Sequence, residues 1–166
     1  MTATELFAFP HPVNEKAARV VAGVVAVAGV VILATGAHWL LVPVALGFWA
    51  RALTGPTLSP LGRLASSVIA PRLGPPKPVA GPPKRFAQAI GAALTTAAAI
   101  LALAAGAPTA ADVLVAALVV AATLESVFAL CLGCQAFGLL MAAGLVPDRV
   151  CAECADIWSR PGMSRP

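Results

Sequence analysis

Two short stretches carry the residues with reactive chemistry. "CLGC" places Cys131 and Cys134 three apart, and "CAEC" repeats that spacing at Cys151 and Cys154. These are all the cysteines in the chain, and together they read C-x2-C-x16-C-x2-C. Four thiolates at this spacing can surround a zinc ion or an iron–sulfur cluster, a strong metal pattern in a soluble protein. The same two pairs can instead cycle between dithiol and disulfide, passing electrons or sulfur from pair to pair. The plainer reading makes them small apolar fillers. A cytoplasmic setting disfavours permanent disulfides but permits a metal or a transient exchange site. No basic residue or His flanks "CLGC" to lower a thiol pKa, which counts against the redox reading.

One carboxylate, Glu125, stands alone in the apolar run that leads into "CLGC". A carboxylate near the middle of a membrane span costs roughly 2.5–3.5 kcal/mol on insertion scales, so it must be paired, protonated or beside water. On a continuous helix it lies about 9 Å along the axis from Cys131, within range to relay a proton to the thiols. The structural alternative is a pair with Arg51 or Arg85, or a hydrogen bond to Thr95, Thr96 or Ser126.

The elements that position these groups are membrane helices. Only 11% of residues are charged, Tyr is absent, and mean hydropathy is +0.91. A soluble domain is about a quarter charged. Residues 20–50 and 86–111 carry no Asp, Glu, Lys or Arg, and about 20 apolar residues cross a bilayer core. We therefore expect an all-α integral membrane protein, with about four transmembrane helices at 17–34, 37–53, 86–106 and 109–131. The N-terminal residues lack the basic region and small-residue cleavage site of a secretory signal, so the first apolar run reads as a retained helix. "TGAHW" divides the first long run into a hairpin, with Arg51 snorkelling at the end of the second helix. His38 and Trp39 read as an interfacial anchor. Phe128 and Phe137 read as packing residues, and Gly91, Gly106, Gly133 and Gly138 as sites of close approach or turns. A tilted continuation or interfacial helix follows Cys134, ended by Pro147.

Between the second and third spans, residues 54–85 hold eight of the 15 prolines and five of the 11 basic residues, with no acid. Within this Pro-rich loop "SPLGRLASSVIA" predicts a short surface helix. Ser59 caps it, Pro60 takes its first position, and Leu61, Leu64, Val68 and Ile69 share a face. With four spans, every Lys and Arg falls on one side, so the positive-inside rule places both termini, the loop and the Cys-containing tail (147–166) in the cytoplasm. Lipid headgroups then account for the basic pI of about 9.2 without nucleic acid.

"FWARALTGPTLSPLGRLA", "APRLGPPKPVAGPPKRFAQAIG" and "LESVFALCLGCQAFGLLMAAGL" followed by "CAEC" resemble DUF4395, a family of uncharacterised bacterial membrane proteins. The resemblance runs from Val13 onward and departs at Ala129 or Leu130, where members often carry an aromatic residue or Gly. It implies a multi-pass protein of the bacterial cytoplasmic (inner) membrane. It also implies a thioredoxin-like protein or a rhodanese-type sulfurtransferase as partner. On that footing we expect a thiol–disulfide or sulfur relay without cofactor. Cys131, Cys134, Cys151 and Cys154 would be its reactive groups and Glu125 its proton handler. The alternatives are a non-enzymatic protein whose four cysteines hold zinc or an iron–sulfur cluster, and a component of a small sulfur-anion permease.

Overall fold

The computed structural model describes residues 9–151 and Cys154. Within them the chain is built almost wholly of helices. Helix α1 spans Glu15–Thr35, α2 Leu41–Thr54, α3 Gly81–Leu103, α4 Pro108–Phe128 and α5 Leu132–Ala142. Helices α1, α3 and α4 are each long and apolar enough to cross a membrane, and α5 is a shorter apolar helix. Helix α2 has 14 residues and is extended at its start by a 3-10 turn, His38–Leu40.

Local chemistry sets the ends. The Asn14 side chain accepts the Lys16 N–H at the start of α1, and Gly36, at φ +66°, closes it in the left-handed conformation that glycine adopts without penalty. Helix α3 begins at Gly81 rather than at 86, because Pro82 and Pro83 fall in its first turn, where their missing N–H groups cost nothing. Glu15 and Lys77 pair at 3.0 Å, and residues Val13–Asn14 meet Pro78–Val79 as a two-stranded antiparallel ribbon, strands β1 and β2. The Pro-rich segment is thereby tied back to the start of α1.

Helix α1 packs most extensively on α4, and α2 on α3; α3 also contacts α4 and α5. Ala17, Val21, Val25, Phe48, Ala92, Leu118 and Ala122 form one core cluster, and Ile32, Leu41, Ala98, Ala111 and Val115 another. Small residues allow the close crossings. A Cβ on Gly91 would run into the Phe48 ring, 2.7 Å from its Cζ.

The short helix expected after Ser59 is present as Pro60–Leu64, a π-helical turn at Ala65–Ile69, and Ala70–Arg72. Ser59 caps it by accepting the Gly62 N–H at 3.1 Å. Gly62, Ala65 and Ala70 are buried, and the helix packs against α1, while Leu64 and Val68 stay exposed. Close contact between helices selects the small side chains, so the larger apolar ones turn outward.

Arg51 departs from expectation. Instead of snorkelling outward it is buried, with its guanidinium 4.6 Å from the centre of the Phe48 ring. Its Nε donates to Gln88 Oε1 at 2.8 Å and its Nη1 to Ser59 Oγ at 3.4 Å. At the other end of the bundle His38 is a pairing residue, 2.8 Å from Asp112.

Candidate functional site

The chain turns sharply between α4 and α5. Helix α4 ends at Phe128, and Ala129 takes a left-handed conformation (φ 57°). Two residues later Cys131 caps α5, its sulfur accepting the Cys134 N–H at 3.3 Å. Cys131 therefore starts a new helix instead of closing the fourth span at 131. The exposed N–H groups and positive dipole end of α5 point at its sulfur, an arrangement that stabilises a thiolate. It is a device that the residues flanking "CLGC" in sequence do not supply.

Gly133, inside the motif, permits the position. A Cβ there would lie 2.6 Å from Ala87 Cβ and 2.7 Å from Ala87 Cα, so only glycine lets α5 sit this close to α3. The contact is reinforced by Phe137, buried and stacked at a tilt on Phe86 with ring centres 5.6 Å apart.

Ala87 follows Lys84 by three residues, which brings Lys84 into the site. Lys84 Nζ donates to Glu125 Oε1 at 2.6 Å, and both side chains are largely buried, 9% and 14% exposed. Neither Arg51 nor Arg85 is the bonded partner of Glu125. Arg85 donates instead to the Ala52 carbonyl at 2.9 Å. The sequence reading passed over Lys84 because it assigned residue 84 to the loop. A signal was available: Lys84, Gln88, Gly91 and Thr95 recur at helical spacing, a polar and small-residue stripe on one face of α3. Arg19 completes the polar end of the bundle, donating to the Ser126 and Val127 carbonyls at 2.9 and 3.0 Å and so capping α4.

Cys131 and Cys134 form a disulfide, as do Cys151 and Cys154, with Cα–Cα separations of 5.2 and 5.3 Å. In each pair the first cysteine is buried and the second is partly exposed. The two pairs meet at one cavity of about 630 Å³ whose wall includes Cys131, Cys134 and Cys154, together with Lys84, Lys77 and Glu15. Among the described residues no three His, Cys, Asp or Glu side chains converge in a metal-holding arrangement. Each pair of cysteines is closed on itself. A four-thiolate site would require both disulfides to open and the pairs to draw together.

Fold and site together define an all-α protein with three helices of membrane-spanning length and two neighbouring CxxC disulfides at one end of the bundle. The chain belongs to the family described as "Domain of unknown function (DUF4395)", whose model matches residues 13–142. That range contains Lys84, Glu125 and the Cys131–Cys134 pair, and ends before Cys151. No curated protein and no solved structure matches the chain.

Proposed function

We propose that the protein is a membrane thiol–disulfide exchange protein in which two CxxC pairs hand a disulfide between them. The observation that carries this reading is the shared cavity: the partly exposed cysteine of each pair, Cys134 and Cys154, lines the same space. With the tail pair reduced, the Cys154 thiolate attacks Cys134 Sγ. The Cys134–Cys131 bond breaks, and Cys131 leaves as a thiolate held by the Cys134 N–H and the α5 N-terminus. A stabilised leaving group speeds this step. The Cys151 thiolate then attacks Cys154 Sγ and releases Cys134. Two electrons and two protons have moved from the tail pair to the membrane-edge pair, and the disulfide has moved the other way.

Lys84 and Glu125 manage charge in this scheme. Lys84 lies in the cavity wall with the sulfurs, so its ammonium favours the thiolate forms, while Glu125 takes up or returns the proton. A thioredoxin-like protein or a sulfurtransferase is the partner that reduces or loads the tail pair. In this reading the chain crosses the bacterial cytoplasmic membrane four times, with both termini and the cysteine cavity on the cytoplasmic side. The zinc or iron–sulfur alternative has the thiol spacing in its favour but lacks converged ligands among the described residues.

The test is trapping. A thioredoxin-like protein that keeps only its attacking cysteine opens the Cys151–Cys154 disulfide but cannot release itself, so its adduct with the tail pair should accumulate, and a Cys151→Ser/Cys154→Ser chain should give none. Stoichiometric zinc or iron in anaerobically purified protein, lost in every single Cys→Ser variant with no adduct in any of them, contradicts the exchange reading.

A further inference from the structure

A second cavity, about 310 Å³, lies between the helices on the other side of Cys131. Its walls are apolar, including Val25, Phe48, Leu94 and Leu118, and its volume falls at the low end of small-molecule sites, roughly 300–1,000 Å³. Among the described residues, Gln88, Glu125 and Cys131 are its only polar or sulfur-bearing lining residues. Ile90 and Leu132, both exposed, belong to the same wall and open it toward the outside of the bundle.

Cys131 thus stands in the partition between two chambers. The first is the more polar and holds Cys134, Cys154 and Lys84; the second is apolar and holds Glu125. The Lys84–Glu125 pair bridges the same partition, its ammonium on the polar side and its carboxylate on the apolar one. The apolar chamber excludes an anion, because Glu125 and hydrocarbon line it. It suits a neutral, flat, lipophilic molecule with carbonyl oxygens, for which the Gln88 amide is a hydrogen-bond donor. Gln88 Oε1 is already engaged by Arg51, leaving the amide nitrogen to donate.

We propose that this chamber binds a membrane quinone, the two-electron acceptor for the Cys131–Cys134 dithiol. The proposal rests on the exchange reading above and names where its electrons go. The balance is closed: the two thiols form the Cys131–Cys134 bond and lose two protons and two electrons. The quinone takes both electrons, its two oxygens take the two protons, one of them by way of Glu125, and it leaves as the quinol. Electrons then run from protein thiols through Cys151/Cys154 and Cys131/Cys134 into the bilayer.

The experiment uses the purified full chain in detergent, reduced with a dithiol and then freed of it. Decylubiquinone is the probe, because its fully substituted ring offers no free position for thiol addition. Quinol formation is followed by absorbance, and the cysteines by alkylation and mass spectrometry. The expected result is quinol formed in step with loss of the Cys131 and Cys134 thiols. Ala136→Phe, which adds bulk at the chamber wall, should slow quinol formation about tenfold or more by displacing the reacting ring. It should leave reduction of the disulfide by dithiol unchanged. In a Cys131→Ser/Cys134→Ser chain, decylubiquinone should still raise the melting temperature and decanol should not. Three outcomes overturn the proposal: no quinol in a wild-type chain whose disulfide still exchanges with dithiols, undiminished quinol formation in a folded Ala136→Phe chain, or equal stabilisation by decanol, which would mark a lipid-tail site. Failure of Cys131–Cys134 to exchange with any dithiol is a separate result and overturns the exchange reading itself.

Discussion

Gly133→Ala is the perturbation whose effect follows most directly from the packing of the site. The added methyl would sit 2.6 Å from Ala87 Cβ and 2.7 Å from Ala87 Cα. Carbon atoms in contact settle at about 3.5–4.0 Å, so α5 must withdraw from α3 by about 1 Å. Overpacking of this kind costs about 1–3 kcal/mol. The better helix propensity of alanine returns at most about 1 kcal/mol, so a net loss of about 1–2 kcal/mol is expected. At this chain length each kcal/mol lowers Tm by about 2–4 °C. The movement also carries Cys131 and Cys134 away from Lys84, so dithiol reduction of the pair should slow. Gly138→Ala on the same helix is the control. Nothing lies within 4 Å of its Cβ, and it should stabilise by about 0.5–1 kcal/mol. Melting in detergent and maleimide capture of the released thiols read both effects. If Gly133→Ala melts and reacts like wild type while Gly138→Ala behaves as expected, α5 does not hold the cysteines against α3.

Three further outcomes are expected. Lys84→Met leaves Glu125 buried without its partner and should cost about 3–5 kcal/mol, whereas Lys84→Met/Glu125→Leu should recover most of that loss; equal melting of single and double variants would show that the pair is not formed. Ala129→Gly removes a side chain from a left-handed position (φ 57°) and should stabilise by about 1 kcal/mol, measured as a shift in detergent melting. For the four-span topology, a lone cysteine at Ala105, in an otherwise Cys-free chain, should react with an impermeant reagent added outside cells, and one at Pro76 should not; the opposite pattern contradicts a cytoplasmic Pro-rich loop.

Long, strongly apolar segments were legible because hydropathy and length are local quantities. The helices Glu15–Thr35, Gly81–Leu103 and Pro108–Phe128 fall on the strongly apolar segments, with ends shifted by a few residues. The Ser59 cap was legible for the same reason, since a Ser-Pro start carries its own hydrogen-bond acceptor and preset φ. What escaped were the contacts between segments distant in sequence. Lys84 and Glu125 are 41 residues apart, and nothing local to Glu125 reports a partner on α3. The contact of the short helix with α1 escaped as well, because amphipathicity weighs side-chain size, whereas that packing selects Gly62, Ala65 and Ala70 for their smallness. The role of Cys131 as a helix cap depends on the chain break at Ala129, which an unbroken apolar run conceals.

The encounter of Cys134 with Cys154 is the step on which the account depends, and it can be measured in a chain that retains only those two cysteines. In Cys131→Ser/Cys151→Ser protein, mild oxidation should join Cys134 to Cys154 within one molecule, because both line the same cavity and neither keeps its native partner. Mass spectrometry of the digested monomer reads the bond directly. A Cys134–Cys154 linkage in the monomer is the predicted result. Two free thiols under the same oxidation, or linkage only between separate molecules, would contradict a disulfide passing between the two pairs.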